Sequence, residues 1–185
     1  RQAEGWDPGE TILQGSHRDT LWEKSYMLVG MQDLMCFFFT EPQAVRDLLH
    51  HIMDFQLGIA RHYLAVGAEM VGMGDDLGTQ KGLLLSPEVI HAFLVPEYQR
   101  LFDLYKEHGV MVNLHSCGHV TPILETFMEL GVDILNPVQV TANDLDEMRR
   151  VTQGRMALQG GVRSATIYDG PVETIRAEVA QRLWQ

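Results

Sequence analysis

Positive charge is scarce in this sequence. Lys and Arg total 14 against 25 Asp and Glu among 185 residues, a formal net charge of −11. The resulting field repels phosphate backbones and anionic lipid surfaces, so no nucleic-acid partner is expected. Cysteine is nearly absent: Cys36 and Cys117 are the whole complement, which excludes a disulfide framework. Cys36 sits in the phenylalanine-rich run 35–39 and reads as core, whereas Cys117, between Ser116 and Gly118, invites a chemical explanation. Long apolar runs are missing too. Stretches such as 34–39 fall far short of the roughly 20 residues of a membrane span. Arg1-Gln2-Ala3-Glu4 is not what the start of a signal peptide is expected to look like. A cytoplasmic protein with no membrane partner is therefore expected. No G-x-S-x-G, H-E-x-x-H or P-loop pattern occurs. What is present, 45% hydrophobic and 21% charged residues, suffices for one folded domain spanning 1–185 with a single core.

From residue 40 onward, helical periodicity alternates with short apolar runs, each introduced by a glycine. This is the pattern of successive βα units, whereas residues 1–39, with Trp6, Trp22, Tyr26 and the helically spaced Met27, Met31 and Met35, predict one or two helices packed on the sheet. Those methionines read as core filler. The first crossover helix should open at Thr40-Glu41-Pro42, with the hydroxyl as cap, and carry Val45, Leu48, Leu49, Ile52, Phe55, Ile59 and Tyr63 on one stripe. A second opens at Ser86-Pro87-Glu88 and is interrupted or kinked by Pro96; others cover about 122–130 and 145–151, and the last runs from Val172 toward Trp184. Gly67, Gly109, Gly131 and Gly154 stand where each helix must stop and hand over to a strand. Four strands are predicted, at 68–71, 110–114, 132–135 and 155–158. Crossovers of this length imply parallel strands, in an open doubly wound sheet or in part of a (β/α)8 barrel.

In either fold the chemistry gathers at the carboxyl ends of the strands. There the sequence places Asp75-Asp76 and Gln80, then His115-Ser116-Cys117, then Asn136 and Gln139, then Gly160-Gly161 and Arg163. Side chains two apart on a strand point the same way, so His115 and Cys117 can share one Zn²⁺; the alternative is a partly buried histidine beside an inert thiol. A catalytic zinc takes three protein ligands, and Asp75, Asp76 or His119 are the candidates for the third, unless it lies outside this chain. The carboxylates of Asp75 and Asp76 suit proton sharing, substrate contact or anchoring of a metal-bound histidine, or else they cap the loop. Asn136 and Gln139 both donate and accept, which suits orientation of a polar substrate. Gly72, Gly74 and Gly78 miss the spacing of a dinucleotide fingerprint.

The run Gly74-Asp75-Asp76-Leu77-Gly78-Thr79-Gln80, then Leu85-Ser86-Pro87-Glu88, Leu114-His115-Ser116-Cys117-Gly118 and Gly131-Val132-Asp133-Ile134-Leu135-Asn136-Pro137-Val138-Gln139, resembles the uroporphyrinogen decarboxylase superfamily. Within it, the likeness is greatest to the branch of cobamide-dependent methyltransferases and O-demethylase components. The resemblance implies a (β/α)8 TIM-barrel fold, only part of which this chain would supply, since family members extend further at both ends. It further implies Zn²⁺ held by His115 and Cys117, although the family's later cysteine ligand has no counterpart here. Asp75 and Asp76 would then be catalytic, with Gln80, Asn136, Gln139 and Tyr26 binding substrate. A corrinoid protein, or a small-molecule methyl donor or acceptor, would be the partner. Metal-free decarboxylation of a porphyrinogen, in which Tyr26 would be the weak match to a substrate-gripping tyrosine, and a catalytically incomplete fragment are the alternatives. Unpaired edge strands of a partial barrel lead to the further expectation of a homo-oligomer.

Overall fold

A computed structural model describes residues 10–183; Trp6 and Trp184 lie outside them. The strands are β1 (Gln14–His17), β2 (Met70–Gly74), β3 (Met111–His115), β4 (Ile134–Val138) and β5 (Ala157–Gly160). They form one parallel sheet in the order β1-β2-β3-β4-β5. A doubly wound sheet would reverse direction at a switch point. Strictly sequential order is instead that of a barrel wall, and the chain is part of a (β/α)8-type barrel.

Helices α1 (Trp22–Val29), α2 (Met31–Thr40) and α3 (Pro42–Ala65) join β1 to β2. Between β2 and β3 run α4 (Pro87–Val89), a π-helical turn at Ile90–Leu94, and α5 (Val95–Glu107). Next come α6 (Leu124–Glu129), α7 (Leu145–Thr152), α8 (Ser164–Asp169) and α9 (Val172–Leu183). Among the described residues, no helix is long and apolar enough to cross a membrane. Because all crossovers run in one direction, the helices cover one face of the sheet. Val71, Met73, Val112, Leu114 and Leu135 point into that layer and are buried. Their neighbours in sequence, Gly72, Gly74, Asn113, His115 and Asn136, line an open cleft on the other face.

Local signals explain most boundaries. Gly67, Gly109, Gly131 and Gly154 take φ of +77°, +70°, +90° and +71°, the helix-ending conformation expected at these junctions. Ser86 caps α4 by accepting from Val89 N at 3.4 Å. Pro96 falls in the first turn of α5, directly after the widened turn. There its missing N–H costs little, so it starts a segment instead of breaking one.

Several expectations need correction. The N-terminal region contains a strand, β1, besides α1 and α2. Its helix-facing positions are Gly15, against which the Tyr63 ring packs, and His17, bonded to Gln56 Oε1 at 2.8 Å and to Tyr105 Oη at 2.5 Å. With no apolar residue at either site, the period-2 signal is absent. Cys36 is exposed, because α2 buries only Leu34 and Phe38, one turn apart. Of the methionines, Met27 and Met31 are exposed while Met35 packs on the core. Phe55 lies outside the buried stripe of α3. Thr40 does not cap α3; its hydroxyl donates back to Cys36 O at 3.3 Å, closing α2.

Candidate functional site

The open face of the sheet carries a cleft of about 640 Å³. Its walls are unusually polar for a sheet, since Gln14, Asn113, Asn136 and Gln159 present side-chain amides where a core would hold aliphatic groups. Register sets the rows: Gly74 pairs with His115, and His115 with Asn136. The absent side chain of Gly74 leaves room beside the imidazole.

At the carboxyl end of this face Asp76, His115 and Cys117 converge, with ligand atoms all within 4.8 Å of one another. Cys117 Sγ lies 3.3 Å from His115 Nε2, which is 3.6 Å from Asp76 Oδ1. The Cys117 backbone N–H donates to that same carboxylate oxygen at 2.8 Å. Asn136 orients the ring: its Nδ2 donates to Leu114 O at 3.4 Å and to Asn113 Oδ1, leaving Oδ1 to accept from His115 Nδ1 at 3.1 Å. With an acceptor facing it, Nδ1 donates to Asn136, and Nε2 is the ring atom turned toward the sulfur and carboxylate. Burial, reinforced by the Asp76 charge, pushes the Cys117 thiol up to about 11.

The paired carboxylates part company. The pleat of β2 continues past its end, so Asp76 follows Gly72 and Gly74 into the cleft while Asp75 follows Met73 under the helices. There Asp75 is 1% exposed and accepts from Leu21 N at 2.7 Å, Glu23 N at 2.8 Å and Tyr98 Oη at 2.6 Å. Desolvation pushes it up to about 7 against the pull of these donors. The expectation that Asp75 works in the cleft is corrected: its carboxylate satisfies orphan N–H groups at the start of α1.

The remaining expected residues divide similarly. Asn136 is in the cleft. Gln80 and Gln139 bond each other, Gln139 Nε2 to Gln80 Oε1 at 2.9 Å, and Gln139 Oε1 accepts from Gly118 N at 3.0 Å. Both therefore tie loops together at the rim instead of lining the main cleft. Tyr26 meets the cleft through Glu23, donating to its Oε1 at 3.1 Å. Burial and the Glu23 charge push the phenol up to about 12. His119 is engaged with Ala142 O at 2.7 Å and is not in the cluster. Arg163 lies 3.5 Å from Glu178. Glu23 was missed by sequence reasoning; it lines the cleft, and burial, then the nearby Asp76, raises its carboxyl. Its place depends on β1, whose signal is hidden.

Two glycines set the loops. Gly118 has φ +82°, and a Cβ there would lie 2.6 Å from Gly78 O and 2.7 Å from Thr79 O. One on Gly78 would lie 2.7 Å from both Cys117 O and His119 N. The loop bearing Cys117 and the loop following Asp76 therefore touch backbone to backbone.

Known proteins agree with this architecture. A curated uroporphyrinogen decarboxylase from Prochlorococcus marinus (strain NATL1A) is 27% identical over 142 residues, covering 76% of this chain and 38% of that protein. One from Xanthomonas oryzae pv. oryzae (strain PXO99A) is 29% identical over 153 residues, covering 78% and 40%. Among solved structures, a methyltransferase from Methanosarcina mazei superposes with a TM-score of 0.76 at 22% identity, covering 98% of this chain and 52% of that one. The chain thus spans about two fifths of those curated relatives and about half of the solved neighbour. The family model for uroporphyrinogen decarboxylase (URO-D) matches residues 22–185, and with that match over most of its length the chain belongs to the URO-D family.

Proposed function

We propose that this chain is the metal-holding part of a URO-D-family methyltransferase, acting between a corrinoid carried by a partner protein and a thiol or methoxylated small molecule. The observation that carries this reading is the convergence of Asp76, His115 and Cys117 at the carboxyl end of the sheet. The donor set suits Zn²⁺: an imidazole with its lone pair on the free nitrogen, a soft sulfur and one carboxylate oxygen. When bound, Zn²⁺ supplies a Lewis acid that holds a thiol as thiolate or polarises a methoxy oxygen at neutral pH.

The chain's own residues do the positioning. Asn136 fixes the tautomer of His115, and Asp76 braces the Cys117 backbone while keeping its carboxylate at the cluster. Left alone, the Cys117 thiol keeps its proton at neutral pH; a nearby divalent cation favours its release. The cleft amides offer donors and acceptors to a small polar substrate.

Decarboxylation of a porphyrinogen is the second reading, supported by the names of the curated relatives. Charge argues against it here. Asp19, Glu23 and Asp76 line the described cleft, with Arg18 as its basic counterpart among Lys and Arg, a poor balance for a substrate bearing several carboxylates. Metal content separates the readings. The chain should take up about one equivalent of Zn²⁺ or Co²⁺, with a thiolate-to-cobalt absorption band that disappears in Cys117→Ala and His115→Ala. Protein that takes up neither metal but binds a porphyrinogen refutes the first reading. Turnover is then measured beside a full-length member of the family.

A further inference from the structure

The loop carrying Cys117 is glycine-containing and borders the cleft, so it could offer free N–H groups to an anion. It does not. Cys117 N donates to Asp76 Oδ1 at 2.8 Å and Gly118 N to Gln139 Oε1 at 3.0 Å. His119 N donates to Thr79 O at 2.7 Å. Val120 N and Thr121 N both donate to Asn143 Oδ1, at 3.0 and 3.3 Å. Every backbone donor from 117 to 121 is committed.

Asn143 stands at the centre of this arrangement. It is 8% exposed, and its Oδ1 also accepts from Thr121 Oγ1 at 3.0 Å. Its Nδ2 donates to Gly118 O at 2.8 Å and Gln139 O at 3.1 Å. One amide therefore grips the loop on both sides of His119 and joins it to the loop after β4, while Gln139 holds Gly118 from the same side. An aliphatic side chain at 143 would strand several buried polar groups at once, and the loop would have to move to find partners.

We infer that Asn143 is a positioning residue for Cys117, clamping the segment 117–121 so that the sulfur stays beside His115 Nε2 and Asp76. The inference rests on the metal reading above and adds to it a residue that touches neither the metal ligands' side chains nor the cleft. Hydrogen-bond partners of ligand side chains typically change metal affinity about 10–100-fold; Asn143 acts instead through the backbone that carries Cys117, and its loss should cost a similar factor.

The test compares Asn143→Leu with Asn143→Asp and with Leu101→Ala, a destabilising core substitution on α5 that makes no polar contact with the loop. Co²⁺ affinity is measured on the 185-residue chain, below the unfolding transition of each variant. Asn143→Leu should bind Co²⁺ about 10–100-fold more weakly than wild type, Asn143→Asp should recover part of the loss, and Leu101→Ala should bind as wild type does. A purely structural role would move Asn143→Leu and Leu101→Ala together, and that result, or unchanged affinity in Asn143→Leu, overturns the inference. If wild type takes up no Co²⁺, the metal reading fails separately and amide hydrogen exchange decides the clamp. Exchange at 118–121 at least about tenfold faster in Asn143→Leu than in Leu101→Ala supports it, and equal rates overturn it. Should Asn143→Leu not fold, Asn143→Ser, which removes the amide while leaving a small polar group at the site, takes its place in both measurements with the same two outcomes.

Discussion

Replacing Gly118 by alanine tests how the two loops meet. Two separable penalties are expected. Its φ of +82° is left-handed, which disfavours any L-residue by about 1–2 kcal/mol. The new Cβ would also press on Gly78 O at 2.6 Å and Thr79 O at 2.7 Å, backbone atoms with no rotamer to retreat to, adding about 1–3 kcal/mol. Gly154→Ala isolates the first penalty, since Gly154 has φ +71° with nothing within 4 Å; about 1–2 kcal/mol is expected there. Gly78→Ala isolates the second, because its Cβ meets Cys117 O and His119 N at 2.7 Å without a positive φ; about 1–3 kcal/mol is expected. Urea unfolding of the three variants should rank Gly118→Ala lowest in midpoint, at about 2–5 kcal/mol below wild type. In the Gly78→Ala/Gly118→Ala double variant the losses should be less than additive, because one displacement opens space for both methyls. Gly118→Ala matching Gly154→Ala within error, with full additivity in the double variant, would refute the backbone contact.

Other expectations concern single side chains. Asn136→Leu removes the acceptor of His115 Nδ1–H and should weaken Co²⁺ binding by about 10–100-fold, while Asn136→Asp retains it; competition titration against a chelator reads this. Tyr98→Phe deletes one of the three donors to Asp75 and should lower stability by about 1.5–3 kcal/mol. That loss should be greater at pH 8 than at pH 5, since the carboxyl of Asp75, already pushed up to about 7, is charged at the higher pH. Burial holds His17 below its ordinary 6.5, so the folded chain binds fewer protons there than the unfolded one. This contribution to stability is complete above about pH 6.5 and is lost as pH falls through the folded pKa, with a slope of up to about 1.4 kcal/mol per pH unit. Asp75 contributes in the opposite sense, its raised pKa favouring the fold below the ordinary carboxylate range and losing that effect as pH rises through about 7. The diagnostic is therefore a difference: in thermal melts between pH 7 and pH 5, wild type should lose stability toward acid relative to His17→Gln, the Asp75 effect cancelling because both proteins carry it, and parallel curves would rule the effect out.

How far the sequence could be read follows from where its signals lie. Strands β2 to β5 announce themselves because a glycine-ended helix precedes each and aliphatic residues occupy the helix-facing positions. Strand β1 was hidden because Gly15 and His17 fill those positions, and their packing against Tyr63, Gln56 and Tyr105 is visible only in three dimensions. The His115 and Cys117 pairing was legible from strand alternation. The same alternation, carried one strand earlier, separates Asp75 from Asp76, but it requires knowing that the pleat outlasts the apolar run. Asn143 and Glu23 carried no local mark; one draws its meaning from backbone groups about 25 positions away, the other from the hidden strand.

The amide-lined inner wall has one more consequence. A face built from Gln14, Asn113, Asn136 and Gln159 does not hold its shape by squeezing out solvent, as an aliphatic interior does; hydration and directional bonding must define it. Tolerance to substitution there should invert the usual rule, with a shape-preserving exchange of amide for hydrocarbon doing more harm than a smaller residue that still offers a donor and an acceptor.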